Sequence, residues 1–243
     1  MYNYNVLIKI CERINCPGNY VGMIENELIR LEVMEIINDG TTEFMGIKLL
    51  GKGQNSFVFK CRINNNYYAC KIRRFDSSRP NLINEGNYLR LANSVDVGPR
   101  LITYTSNVLV MELINGIPIQ KYVITAGQSE LRMILRDLLW QCRRLDTIGL
   151  AHNELSRPRD HIIINDGKAF IIDFESASLN SRVSNVAQLL NALIMSRGFV
   201  QDHIRSVMGI SINFNDLREA IRRYKTTRSD ADFIQILRLL SLK

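Results

Sequence analysis

The stretch "AHNELSRPRDHIIIND", residues 151 to 166, sets His152, Glu154 and His161 among short apolar residues. "AFIIDFESAS" follows, a strand-like run ending in an acid at Asp173. Phosphoryl transfer depends on positioning and on neutralising charge, so acids at fixed places beside apolar strands are what it requires. The residues leave two readings open: a phosphoryl-transfer site in which one carboxylate is a methylene longer than usual, or the remnant of such a site.

A second group lies upstream. In "GKGQNSFVF", Gly51 and Gly53 fall between strand-like segments, where the lack of a side chain lets backbone N–H groups approach phosphates. Ser56 and Val58 complete the pattern. Lys71 follows in the alternating run "YYACKI", and Glu85 lies in the next helical segment, where an ion pair would fix the lysine ammonium for a phosphate.

Those residues need elements to carry them. Residues 1 to 44 read as a mainly helical extension, with Ile24, Leu28, Leu31 and Ile36 on one helical face until "NDG" stops it. Residues 45 to 75 alternate like strands broken by Gly-rich and Asn-rich turns. "RPNLINEGNYLRLANSV" reads as a helix, and "RLITYTSNVLVMELING" as two strands turning at Ser106-Asn107. Leu131, Leu135, Leu138, Cys142 and Leu145 then mark an amphipathic helix ending before Gly149. A short strand pair surrounds "GKAFIID", and two or three helices close the chain.

Taken in order, the motifs resemble the atypical protein-kinase superfamily, and its RIO-like serine/threonine kinases in particular. The loop follows their G-x-G-[KQ]-x-S-x-V form, and "NVLVMELI" is similar to their hinge. "GLAHNELS" parallels "GLVHGDLS", and "IIDFESA" parallels "IIDFPQA". The resemblance spans about residues 46 to 180. It implies an α+β, bilobal protein-kinase-like fold. A helical extension (1–44) would precede a small antiparallel β-rich N-lobe (45–115) and a reduced α-helical C-lobe (116–243).

The same resemblance implies that ATP and Mg²⁺ or Mn²⁺ bind between the lobes. Gly51, Gly53, Ser56, Val58, Lys71 and Glu85 would hold the nucleotide, with Met111, Glu112 and Ile114 at the adenine. Glu154 would stand where the catalytic Asp belongs, His152 would be structural, and Phe174 would pack behind the metal site. Asp173 would bind the metal, together with His161 or its neighbour Asp160 in place of the usual Asn. That Asn should follow the catalytic acid by five positions. Arg159 stands there instead, so the loop is two residues longer. A histidine offers nitrogen, which suits Mn²⁺ better than Mg²⁺. Arg157 and Arg159 would either neutralise a phosphoryl group or pair with acids. "IDFE" also occurs in small-molecule kinases, and a nucleotide-binding pseudokinase scaffold is a further alternative.

Composition bounds the rest. In 243 residues, 46% are hydrophobic and 23% charged, ordinary for a globular chain with a core. No apolar run reaches membrane-spanning length, and the N-terminus lacks a signal-peptide pattern. The five cysteines read as small buried hydrophobes in a reducing compartment, so the expected location is cytoplasmic. The net charge of +7 favours phosphate-bearing partners: ATP, and a protein or ribonucleoprotein particle. Neither a membrane nor sequence-specific DNA binding is expected.

Overall fold

The alternating residues form the frame. In the computed structural model, which describes residues 2–179, 181–210 and 213–242, the chain divides into two units. One comprises Met1–Arg90 and Pro99–Ile114, the other Leu91–Gly98 and Asn115–Lys243.

The first unit begins with helices α1 (Asn5–Arg13) and α2 (Tyr20–Arg30), then short strands β1 (Glu35–Ile37), β2 (Thr42–Phe44), β3 (Ile47–Leu49) and β4 (Gly51–Lys52). Strands β5 (Ser56–Ile63) and β6 (Asn66–Arg73) form its longest hairpin, turning where Asn64 adopts φ 51°. Asparagine tolerates that left-handed conformation well. Helix α3 (Ile83–Asn93) intervenes before strands β7 (Leu101–Tyr104) and β8 (Val108–Glu112), which meet at the Ser106-Asn107 turn. The sheet runs β1-β5-β6-β8-β7, antiparallel throughout, with β4 also paired to β5.

The two N-terminal helices share the core of that sheet. Leu7, Ile10, Ile24 and Leu28 are buried with Phe57, Phe59, Ile72 and Val110. The Glu27 carboxylate anchors α2 by accepting from the Asn107 backbone N–H (2.9 Å), from Asn107 Nδ2 (2.6 Å) and from the Thr105 hydroxyl. The helix expected to run from Ile24 to Ile36 stops at Arg30 instead. Glu32 turns left-handed (φ 58°), and Ile36 joins β1 opposite Cys61. Ile36 lies five positions past Leu31, a step that breaks helical spacing, and its β-branched neighbour Ile37 favours a strand. Cys11 and Cys16 form a disulfide, against the expectation of unpaired cysteines. Cys61, Cys70 and Cys142 are free and buried.

The second unit opens with strand β9 (Ile117–Pro118) and helices α4 (Ile119–Thr125) and α5 (Gln128–Thr147). The Glu130 carboxylate accepts the Gly127 N–H (2.7 Å), satisfying a donor at the α5 start, and the left-handed Gly149 (φ 71°) follows its end. The predicted stripe Leu131, Leu135, Leu138, Cys142 and Leu145 is buried. Strand β10 (Leu150–Ala151), the short helix α6 (Pro158–His161) and the hairpin β11 (Ile162–Asn165)–β12 (Lys168–Ile171) come next, and β9 pairs with β11.

Strand β13 (Ser178–Leu179) pairs with β10 and leads to α7 (Asn185–Leu190), which continues as a π-helical turn (Asn191–Met195). Helices α8 (Phe199–Met208), α9 (Phe214–Thr227) and α10 (Asp230–Leu239) complete it. Among the described residues, four helices follow β13, more than the two or three expected. Gly198, Gly209 (φ 62°) and Arg228 (φ 50°) break the apolar sequence into short rods. No helix of the described residues is long and apolar enough to cross a membrane.

Candidate active site and metal centre

In the first unit, strand register brings the glycine-rich segment and the lysine together. Gly51 lies opposite Val58 across β4–β5, and Val58 lies opposite Lys71 across β5–β6. The Gly53 N–H donates to Ser56 O (2.9 Å), closing a tight turn with Gln54 and Asn55 at its tip. Ser56 is buried at the start of β5. Lys71 is buried too, with Nζ 2.7 Å from Oε1 of Glu85 in the first turn of α3. Burying an ammonium is costly unless it is paired and hydrogen-bonded, so the pair fixes both residues.

Asn55, which lies outside the Gly, Ser and Val positions of the motif, pins this loop. Its backbone O accepts from Arg74 N (2.8 Å), and its Oδ1 accepts from Ser77 Oγ (3.1 Å), Ser78 N (3.2 Å) and Ser78 Oγ (3.1 Å). An Asn inside a Gly-Ser turn is the available signal, but its partners lie some twenty residues downstream.

Met111 and Glu112 end β8, opposite Ala69 and Tyr68 of β6, and Ile114 follows the strand. The Glu112 N–H donates to Arg100 O (2.8 Å), and its carboxylate accepts from Arg100 N (3.0 Å).

In the second unit, Glu154, His161 and Asp173 converge: one ligand atom of each lies within 4.8 Å of the others. Glu154 follows β10, His161 ends α6 and Asp173 follows β12. Glu154 Oε2 is 3.8 Å from His161 Nε2, and its Oε1 accepts from Arg157. Asp160, the alternative to His161, is exposed and pairs with Arg159 (3.0 Å) outside the cluster. Both arginines of the loop are thus paired with acids.

Asp173 (φ 66°) and Asn153 (φ 70°) adopt the left-handed region, a local cost that tends to gather at functional sites. Asn153 Nδ2 donates to Ser176 O (2.8 Å) and Ser178 Oγ (2.9 Å), tying the Glu154 loop to the segment after Asp173. Behind the cluster, the fully buried His152 ring lies edge-on to His161 (5.3 Å) and to the buried Phe174 (5.0 Å). Burial lowers the His152 pKa to about 4. A neutral ring can donate from Nε2 to Ile172 O (2.9 Å), a bond that also fixes its tautomer.

Two carboxylates and an imidazole form a mixed oxygen–nitrogen donor set. The buried Nδ1 of His161 has no hydrogen-bond partner among the described residues. The ring's other nitrogen, Nε2, faces Glu154, and the set fits a divalent cation with Mn²⁺ favoured over Mg²⁺.

Comparison with solved structures identifies this architecture as the protein-kinase class. The autoinhibited serine kinase domain of the giant muscle protein titin aligns with 81% of this chain and 73% of its own, at 16% identity and TM-score 0.50. The streptomycin–ATP complex of the phosphotransferase APH(2")-IIa aligns with 88% of this chain and 95% of its own, at 14% identity and TM-score 0.53. These likenesses show the fold. The RIO domain family matches residues 32–192, and the chain belongs to that family, within the atypical protein-kinase superfamily. An uncharacterised protein of Methanocaldococcus jannaschii is 29% identical over 116 residues, 47% of this chain and 98% of that protein. Family and fold together support a kinase-like phosphotransferase.

Proposed function

We propose that this chain is an atypical RIO-like serine/threonine protein kinase or ATPase using ATP with Mn²⁺ or Mg²⁺. The convergence of Glu154, His161 and Asp173 carries the reading, and the buried Lys71–Glu85 pair supports it. His161 and Asp173 would hold the metal, with Glu154 beside them. A divalent ion held there would supply positive charge to the phosphate oxygens. Lys71, kept in one orientation by Glu85, would present its ammonium to nucleotide phosphates. Gly51 and Gly53 would leave the backbone open to phosphate, with Ser56 and Val58 beside them, while Met111, Glu112 and Ile114 would line the adenine. Glu154 accepts the proton of the acceptor hydroxyl, or of water in an ATPase, and gives up its bond to Arg157 to do so.

The net charge of +7 supports a phosphate-bearing protein or ribonucleoprotein partner. One observation favours a second reading. Arg157 already engages Glu154, as in a nucleotide-binding scaffold whose carboxylate stays neutralised.

Release of radiolabelled γ-phosphate, measured with Mg²⁺ and Mn²⁺ in parallel, tests the proposal. Slow turnover is expected, faster with Mn²⁺, and abolished by Lys71→Ala, Asp173→Ala and Glu154→Gln. Thermal stabilisation by ATP without γ-phosphate release would establish the scaffold instead. A chain indifferent to adenine nucleotides would overturn both.

A further inference from the structure

Glu154 has one more rotatable bond than aspartate, so its carboxylate is well placed only if its backbone is held firmly. The structure shows what holds it. Asn185 and Gln188 project from α7 three positions apart, on one face of the helix. Asn185 is fully buried: its Nδ2 donates to Leu150 O (2.8 Å) and Asp146 Oδ1 (2.9 Å), and its Oδ1 accepts from His152 N (2.9 Å). Asp146 is itself fixed by Ser184 Oγ (2.8 Å), Tyr224 OH (3.0 Å) and Arg228 Nη1 (2.7 Å).

Gln188 acts closer to Glu154. Its Oε1 accepts the Leu155 N–H (3.2 Å) and its Nε2 donates to Asn153 O (3.4 Å). Those two backbone groups belong to the peptide units on either side of Glu154. One side chain therefore grips both. The grip needs a donor and an acceptor on one planar group, which an amide supplies and a carboxylate does not.

Resting on the proposed function, we infer that Gln188 is the positioning residue of Glu154, anchored through Asn185 to the buried Asp146. A carboxylate at 188 would keep the shape but set an oxygen against the Asn153 carbonyl. A methionine would keep the approximate length and lose both bonds. Misplacing a reacting group by about 1 Å costs on the order of 100-fold in rate, so even partial release of this backbone reaches catalysis.

The test compares Gln188→Glu and Gln188→Met with the full-length wild type in γ-phosphate release, Mn²⁺ affinity by electron paramagnetic resonance, and thermal unfolding. Both variants are expected to lower kcat at least about tenfold, with KM for ATP within about twofold. Because the Glu154 carboxylate lies in one cluster with His161 and Asp173, Mn²⁺ binding should weaken too, and both variants should remain folded at the assay temperature. Unchanged kcat, or a loss that only tracks the unfolded fraction, would overturn the inference and leave the parent reading standing. If the wild type binds Mn²⁺ without turnover, the metal affinity decides: variants that bind as the wild type does refute the role of Gln188. A wild type with neither turnover nor Mn²⁺ binding overturns both.

Discussion

Lys71 Nζ lies 2.7 Å from Glu85 Oε1, and the two side chains are only 5% and 6% exposed. Breaking a buried ion pair by removing one partner costs up to about 3–5 kcal/mol. Lys71→Met and Glu85→Leu should each destabilise the chain by that order, and the double variant by clearly less than their sum. Chemical denaturation of the four proteins measures this coupling, and strict additivity would count against it.

The helix that carries Glu85 is also packed with little slack. A Cβ added at Gly86 would lie 2.6 Å from two carbons of the Tyr104 ring. Tyr104 cannot yield easily, because its hydroxyl donates to Asn87 Oδ1 (2.6 Å) and Arg90 lies over its ring. Alanine normally stabilises a helix by about 0.5–1 kcal/mol over glycine. Here overpacking of about 1–3 kcal/mol should outweigh that gain, so Gly86→Ala should lower the melting temperature.

At the metal cluster, His161→Asn replaces an imidazole nitrogen with an amide oxygen. The ratio of Mn²⁺-supported to Mg²⁺-supported ATP turnover should fall, because oxygen donors favour the harder cation. Parallel titrations with the two metals would reveal it. A ratio unchanged from wild type would remove His161 from the donor set.

A pH signature is expected at the start of α10. The Asp232 carboxylate accepts from Thr227 Oγ1 (2.6 Å) and Ser229 Oγ (2.9 Å), bonds that hold its pKa below the ordinary 3.8. A depressed carboxylate pKa contributes stability above the unfolded value and loses it as pH falls through the folded one. Asp232→Asn should therefore lower the melting temperature at neutral pH. The gap to wild type should narrow below about pH 4, as thermal scans across that range would show.

Much of the site was legible because its parts are local patterns. The alternation around Lys71, the heptad-like stripe of α5 and the glycines before Ser56 are set by the period of a strand, the period of a helix and the sterics of a turn. The choice between His161 and Asp160 was not legible, since adjacent residues share the same local pattern. In the fold, α6 turns His161 toward Glu154 and leaves Asp160 in solvent with Arg159. Asn55 and Gln188 escaped notice for a related reason: a lone amide in a turn or helix does not announce a partner 22 or 33 residues away.

The amino-acid sequence alone determined the order of elements and the family resemblance, because periodicity and motif order are properties of neighbouring residues. It misjudged the helix through Ile36 and the pairing of Cys11 with Cys16, where a cross-strand partner and a chain reversal outweigh local preference. Tertiary structure decided which acids and imidazoles share one small volume, and which distant amide holds the backbone beneath Glu154. Those outcomes depend on side chains meeting across separate elements, and such meetings are fixed only when the whole core packs.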